Sequence, residues 1–179
     1  MMDKFISSSV TTCQRFDETR IKINRGKLLN EPPSNAYKRF EHTKDGLSPR
    51  SKIGLENGIF WNTGDESDVE GHISEDPVNR VEMMDKRQSR LDYILEKIPE
   101  SEQIVKHFDG EFCVVSWGST QGPILDAIDM LKNEGINIGF VEIKLLHPFP
   151  KELVKKSFSN SKTIINVEAN YTGQLGSII

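Results

Sequence analysis

The sequence is short of cysteine, of long apolar runs and of basic tracts, and each shortage excludes a class of protein. Its two cysteines, Cys13 and Cys113, cannot alone supply the four thiolates that an iron–sulfur cluster usually needs. Apolar stretches such as FCVV and IGFV are far too short to cross a bilayer. The first residues do not form a basic region followed by an apolar one, so no secretory signal is predicted and the cytoplasm is the expected location.

The size and charge of the chain narrow the remaining classes. Its 179 residues suit one domain, or one domain with a long appendage. The formal net charge is -4 and no long run of lysine or arginine occurs, which argues against nucleic-acid binding. Cys113 lies in an apolar run and is predicted to be a small core residue.

Residues 1–76 are predicted to form an irregular arm. The segment contains NEPPSN, DGLSPR and LENG, which are rich in turn-forming residues. Two short stretches, around Ile21 and Ile23 and over residues 58–64, have the alternation expected of strands. Because connections of this length usually serve a function or wrap another domain, the arm is predicted to need a partner surface.

Residues 77–100 are predicted to form one connecting helix. Apolar side chains recur every three or four positions and give a single stripe, while Lys86 and Arg90 fall on the opposite face. Asp76 is expected to cap the first turn through its carboxylate, and Pro77 suits the first helical position because no N–H is needed there. Pro99 marks the expected end of the helix.

Residues 101–179 alternate between strand and helix patterns, which predicts an α/β domain with a parallel sheet. Three apolar stretches, FCVVSW, INIGFVEI and KTIINVEAN, are the predicted strands. Helices are expected over residues 124–135 and over KELVKKSF, and a further helix is expected to begin within YTGQLGSII. Three strands make only a partial Rossmann-like sheet, so the chain is interpreted as a fragment or as lacking further strands.

The most charged stretch, GDESDVEGHISEDPVNR, raises the question of a metal site around His72. Its alternating carboxylates mimic the first half of an EF-hand calcium loop. However, the first position is Glu66 instead of Asp, and the twelfth is Pro77 instead of Glu. Zinc would need more nitrogen or sulfur ligands than His72 provides. No metal site is therefore predicted, and the stretch is interpreted as the solvated approach to the helix.

Two places at the predicted sheet edge are candidate binding sites. SWGSTQGP passes from a strand through a glycine turn into a helix, so Gly118, Ser119 and Thr120 are candidates for an anion-binding turn. The alternative is that Ser119 or Thr120 simply caps that helix. Glu168 and Asn170 lie at the end of the third predicted strand and are candidates for contact with a substrate or a subunit. No nucleophile elbow G-x-S-x-G is found, and no catalytic residue is predicted.

Five stretches in one order carry a resemblance to a known family: DGLSPRSKIG, TGDESDVEGHISEDPVNR, VSWGSTQGPILDAID, LLHPFP and EANYTGQLG. The chain resembles the C-terminal part of the α subunit of 2-oxoacid:ferredoxin oxidoreductases, of the type that oxidises 2-oxoglutarate or mixed 2-oxoacids. Arg50 in LSPR and His72 in EGHI lie in these motifs and are candidates for contact with substrate or with another subunit. The resemblance transfers no catalytic residue to this chain.

The resemblance implies an enzyme that converts a 2-oxoacid, coenzyme A and oxidised ferredoxin to acyl-CoA, carbon dioxide and reduced ferredoxin. It implies thiamine diphosphate, Mg²⁺ and a [4Fe–4S] cluster in the complete enzyme, with none held by this chain. Residues 1–76 would lead from a missing N-terminal thiamine-binding domain, and residues 101–179 would be a truncated domain of the transketolase C-terminal type. The segment is expected to be inactive alone and to make structural and subunit contacts, with the β subunit, and a γ subunit where one exists, as partners.

A hypothesis from another class is a free-standing Rossmann-like module that binds a nucleotide or an anion. The turn at residues 118–120 matches neither G-x-G-x-x-G nor the P-loop pattern, so it does not decide the matter. Titration calorimetry with nucleotides and calcium separates the two hypotheses, because the scaffold interpretation predicts tight binding of neither.

Overall fold

A computed structural model describes residues 3–179, which form two compact units. One unit contains the N-terminal residues up to Cys13 together with Lys97–Ile179, and the other contains Gln14–Glu96. None of the helices among residues 3–179 has the length and apolarity needed to cross a membrane. The predicted division into domains at residues 76 and 100, and the missing thiamine-binding domain that it implies, stay predictions.

In chain order the helices are α1 (Lys4–Ser8), α2 (Pro77–Lys97), α3 (Glu100–Gln103), α4 (Gln121–Asn133) and α5 (Lys151–Ser157). The strands are β1 (Ile104–Phe108), β2 (Phe112–Ser116), β3 (Ile138–Ile143) and β4 (Thr163–Asn166), in the spatial order β1-β3-β2-β4. β2 pairs in parallel with β3 and β4, while β1 runs antiparallel to β3 at the edge. The predicted α/β class, with a largely parallel sheet, is confirmed.

Apolar side chains cover both faces of this sheet. On one face, α4 packs Ile124 and Ile128 against Phe140 of β3. On the other face, Val154 of α5 and Leu175 of the terminal segment belong to a larger cluster that includes residues of β1, β2 and β3. Because successive residues of a strand point to opposite faces, burial on both sides requires consecutive apolar residues, which β2 and β3 provide.

The second unit, residues 14–96, consists of loops and most of helix α2. Apart from a 3₁₀ turn at Glu18–Arg20, its loops contain only isolated bridges, such as that between Leu28 and Arg50. Met83 is the one apolar side chain in this unit that is almost fully buried. Polar contacts hold the loops instead, and the Ser51 hydroxyl donates to the Gly58 carbonyl at 2.5 Å. The predicted irregular character of this region is confirmed.

Helix α2 begins as predicted. The Asp76 carboxylate accepts the N–H of Val78 at 2.9 Å, and Pro77 is the first helical residue. The helix ends at Lys97, two residues before Pro99, and not at the predicted residue 100. Val78 on the predicted apolar stripe is 62% exposed, so part of that stripe stays uncovered in this chain.

Three local predictions are wrong. The sheet has four strands instead of the predicted three, and the additional strand is β1. Ile21 and Ile23 are exposed and lie in no strand, and residues 58–64 form none either, since no neighbouring segment pairs with their backbone. YTGQLGSII forms turns instead of a helix, because the Leu175 and Gly176 amides donate to the Glu168 carboxylate and not to the preceding turn.

Candidate functional site

The loops of the second unit and helix α2 enclose a strongly basic pocket of about 450 Å³. Seven basic side chains line it against two carboxylates, Asp65 and Glu66. The basic residues come from three loop segments and from one helix, and they are Arg25, Lys27, Arg39, Arg50, Lys86, Arg87 and Arg90. A concave surface with this excess of positive charge favours an anionic ligand.

Several of these charges have no anionic partner among residues 3–179. Lys27 pairs with Asp45 at 2.7 Å, and Arg87 pairs with Glu66. By contrast, the side chains of Arg25, Arg50 and Arg90 form no hydrogen bond or ion pair with any residue between 3 and 179. Three guanidinium groups of the pocket are therefore available to bind a ligand.

Arg39 is held by aromatic rings. Its guanidinium lies 4.8 Å from the ring centroid of Phe40 and 5.1 Å from that of Phe60. The Nε atom is buried and finds no hydrogen-bond partner among the described residues. A buried donor without a partner costs free energy, so an acceptor supplied by a ligand would be stabilised at this position.

Lys86 enters the same pocket from helix α2. Its Nζ donates to the Phe40 carbonyl at 2.7 Å and to the Ser48 hydroxyl oxygen at 2.5 Å. Burial, together with the charges of Arg39 and Arg90, lowers the pKa of Lys86 to about 8. The sequence pattern had placed Lys86 on the solvated face of the helix.

Arg50 and His72, the two candidates from the resemblance, are placed differently. Arg50 lines the basic pocket. His72 does not; its ring packs edge-on against Trp61 at 5.8 Å, and its Nδ1 lies 3.8 Å from the Asp68 carboxylate. The structure therefore places Arg50 at the lining of the pocket and His72 at the surface.

The acidic stretch around His72 forms local structure. The Asp68 carboxylate accepts the backbone N–H groups of Glu70, Gly71 and His72, each at 2.9 Å. The Glu66 carboxylate forms ion pairs with two arginines of helix α2. Among residues 3–179, no group of three His, Cys, Asp or Glu side chains could hold a metal ion.

The candidate anion turn in the first unit contacts a carboxylate of the chain itself. The N–H of Ser119 donates to Asp3 Oδ2 at 2.7 Å, and this bond is the main reason that the pKa of Asp3 is lowered. Gly118 has φ +68°, and a Cβ there would overlap the same carboxylate. Thr120 occupies the N-cap position of α4, but its hydroxyl donates to the Trp117 carbonyl and caps nothing.

Glu168 and Asn170 organise the end of the chain. Burial would raise the pKa of Glu168, but hydrogen bonds to its carboxylate outweigh that effect and hold the pKa at about 2. The donors include the Asn170 side chain at 2.6 Å and the Leu175 backbone at 2.8 Å. The Trp117 indole adds a contact at 3.3 Å. These partners occupy the Glu168 carboxylate, so the geometry favours a structural role for both residues.

Relatives of this chain are α subunits of one enzyme family. The chain is 41% identical over 183 residues to the α subunit of 2-oxoacid:ferredoxin oxidoreductase 2 from Aeropyrum pernix, an alignment that covers all of this chain and 28% of that protein. It is 35% identical to the corresponding α subunit from Saccharolobus solfataricus, again over the whole chain and over 29% of the relative. The chain thus spans less than a third of the length of these curated relatives.

A family model and a solved structure agree with this. Residues 110–179 match the model described as pyruvate:ferredoxin oxidoreductase core domain II. The 2-oxoglutarate:ferredoxin oxidoreductase from Magnetococcus marinus, solved with 2-oxoglutarate, coenzyme A and succinyl-CoA bound, is similar with a TM-score of 0.72 and 29% identity. That similarity covers 86% of this chain and 26% of the other. The resemblance found in the motifs is therefore confirmed: over its whole length the chain is similar to one segment of the α subunits of 2-oxoacid:ferredoxin oxidoreductases.

Proposed function

We propose that this chain is part of the α subunit of a thiamine-diphosphate-dependent 2-oxoacid:ferredoxin oxidoreductase. In the complete enzyme, a 2-oxoacid, coenzyme A and oxidised ferredoxin would give acyl-CoA, carbon dioxide and reduced ferredoxin. The proposal is supported by the identity of 34–41% over the whole chain to α subunits with this name. The named ligands of the Magnetococcus marinus enzyme favour 2-oxoglutarate among the 2-oxoacids.

The described residues do not fit an iron–sulfur cluster. Cys13 is exposed and Cys113 is buried within the sheet, where burial raises the pKa of its thiol. A cluster needs several ionised thiolates that converge on one point. We therefore assign the cofactors to other segments and other subunits, and we assign structural and subunit contacts to this segment.

We assign the basic pocket as the part of this segment that contacts an anionic substrate. Both 2-oxoglutarate and coenzyme A are anionic, through carboxylates and phosphates respectively. Arg50 lines the pocket and has no anionic partner among residues 3–179, and this single observation carries the assignment. An arginine suits this task because its planar fork of donors matches the geometry of carboxylate and phosphate.

Steady-state kinetics of the complete enzyme test the assignment. Arg50→Met should raise the KM for 2-oxoglutarate or for coenzyme A roughly tenfold or more, because a charged hydrogen bond contributes about 1.5–3 kcal/mol. Arg15→Met is the matched control, since Arg15 is exposed and does not line the pocket. Equal effects of the two variants would contradict the assignment, and a complete enzyme without 2-oxoacid oxidation would contradict the proposed function itself.

The second candidate, a free-standing anion-binding module, is favoured by the excess positive charge of the same pocket. Isothermal titration of the 179-residue chain with ATP and with pyrophosphate distinguishes the two. Submicromolar binding by the chain alone would support the module. Only weak binding is expected for a segment whose ligand contacts are completed by other parts of an enzyme.

A further inference from the structure

The Lys86 amine has an unusual set of neighbours for a surface lysine. Its two acceptors are uncharged, the Phe40 carbonyl at 2.7 Å and the Ser48 hydroxyl oxygen at 2.5 Å. Ser48 uses its own hydrogen to donate to the Glu41 carbonyl at 2.8 Å, so its oxygen is an acceptor for Lys86. No carboxylate lies within ion-pair distance of Lys86 among the described residues.

The charges that surround this amine disfavour its protonated form. The charges of Arg39, Arg90 and Arg87 lower the pKa of Lys86, and the charge of Glu41 raises it. Burial is the largest cause, and the pKa of Lys86 is about 8. At pH 7 roughly a tenth of such amines are neutral, against less than about a thousandth for a lysine with the ordinary value near 10.4.

The geometry also suits the neutral amine. A neutral lysine amine has two hydrogens, and the Phe40 and Ser48 oxygens accept both. Its lone pair then remains available for a reaction. The amine borders a cavity of about 450 Å³ whose basic lining attracts phosphate groups, so a phosphate-bearing reagent would be concentrated beside the nucleophile.

We propose that Lys86 is a site of covalent acylation by acyl thioesters of phosphate-bearing carriers, of which acyl-CoA is the prototype. In this step the neutral amine attacks the thioester carbonyl carbon, a C–N bond forms and the C–S bond breaks. The carrier leaves as a thiolate, and the amine loses one proton as it becomes an amide. The product side chain is a neutral amide, with a negative charge only where the acyl group carries a carboxylate. It no longer adds a positive charge to the pocket.

The proposal goes beyond the proposed oxidoreductase activity and does not depend on it. An acyl thioester is what that activity would release, but the reagent in the test is added from outside. Two results can therefore be told apart. In one, Lys86 becomes acylated in a chain that does not belong to such an enzyme; in the other, Lys86 stays unmodified in a chain that does.

The test is site-resolved mass spectrometry of the 179-residue chain after incubation with succinyl-CoA. At pH 7.5 we expect Lys86 to be succinylated roughly tenfold or more faster than Lys38 and Lys44, exposed lysines of the same unit. The rate at Lys86 should level off above about pH 8, while the rates at Lys38 and Lys44 should still rise towards pH 10. A rate at Lys86 no greater than at these two lysines would overturn the proposal.

A second reagent separates nucleophilicity from guidance by phosphate groups. N-acetoxysuccinimide acylates amines but has no phosphate. Pyrophosphate should slow succinylation of Lys86 by succinyl-CoA several-fold more than it slows acetylation by N-acetoxysuccinimide. Equal slowing of both reactions would overturn the claim that the pocket recruits the carrier. Because every rate is measured on the unmodified chain, no substitution that could impair folding is needed.

Discussion

Glu66 and Arg87 form a two-pronged ion pair, in which Arg87 Nη1 and Nη2 donate to Glu66 Oε1 and Oε2 at 3.0 and 2.7 Å. Arg80 adds a bond to Oε2 at 2.5 Å. The Glu66 side chain is only 14% exposed, while both arginines belong to helix α2. The acidic stretch therefore ties a loop to the helix and forms one wall of the basic pocket.

Removal of the Glu66 charge should destabilise the fold. Glu66→Gln leaves two guanidinium groups beside a neutral amide, and we expect the free energy of unfolding to fall by about 1–2 kcal/mol. The matched control is Glu70→Gln, whose exposed side chain contacts no charged group and should change stability by less than about 0.5 kcal/mol. Chemical denaturation measures both, and indistinguishable values would contradict this role of Glu66.

The same pair makes stability depend on acid. Hydrogen bonds from Arg87 and Arg80 lower the pKa of Glu66 from its ordinary 4.5 to about 2. Burial acts in the opposite direction but is outweighed. A lowered carboxyl pKa means that the stabilisation is fully present above pH 4.5 and is lost as the pH falls towards 2. The difference in unfolding free energy between the wild type and Glu66→Gln should thus be constant from pH 5 to 7 and shrink below. A difference that grows on acidification would refute the pairing.

Gly46 is required where helix α2 meets the loop before Arg50. It has φ +66°, and a Cβ there would overlap the Arg90 side chain. Gly46→Ala should therefore lower the free energy of unfolding by at least about 1 kcal/mol more than Gly26→Ala. Gly26 is the matched control because it has φ +74° but open space around its Cα.

Removal of the obstructing side chain tests the cause of that difference. In an Arg90→Ala background, most of the excess cost of Gly46→Ala over Gly26→Ala should disappear, because only the unfavourable backbone conformation and a 3.3 Å contact with the Lys86 carbonyl remain. If the excess cost of Gly46→Ala persists without the Arg90 side chain, the overlap is not its origin.

The bond between Asp3 and Ser119 should protect one amide from exchange. Asp3→Ala removes the acceptor of the Ser119 N–H, and we expect hydrogen exchange at Ser119 to accelerate about tenfold, as for loss of a bond of about 1.4 kcal/mol. Asp17→Ala is the control, because Asp17 accepts from Thr19 in a local turn and does not contact Ser119. NMR exchange rates that are unchanged in Asp3→Ala would show that the turn does not hold this carboxylate.

The sheet could be predicted where the local pattern was strong. β2 and β3 are runs of apolar residues between turns, and α4 has a clear apolar stripe, so these elements were found. β1 was missed because it is an edge strand in which Lys106 and His107 interrupt the apolar residues. The predicted terminal helix is wrong because the sequence does not show that the Glu168 carboxylate accepts hydrogen bonds from backbone N–H groups of the following turn.

The candidate site could be predicted only in part. Arg50 was singled out from its motif, and it lines the pocket. Lys86 and Arg39 were not, because the pocket depends on contacts between distant residues: Lys86 meets the Phe40 carbonyl across 46 positions of sequence. A possible signal was the run KRQSR on one helix, with basic residues on adjacent turns, but on its own this pattern is typical of a solvated face.

The most direct test of the central claim compares 2-oxoglutarate-dependent ferredoxin reduction by two samples. One contains the complete α subunit with its partner subunits, and the other contains the 179-residue chain alone, both with thiamine diphosphate, Mg²⁺ and coenzyme A. We expect turnover in the assembled enzyme and none in the isolated chain. Turnover by the isolated chain, or its absence from the assembled enzyme, would contradict the assignment of this chain as a supporting segment of that enzyme.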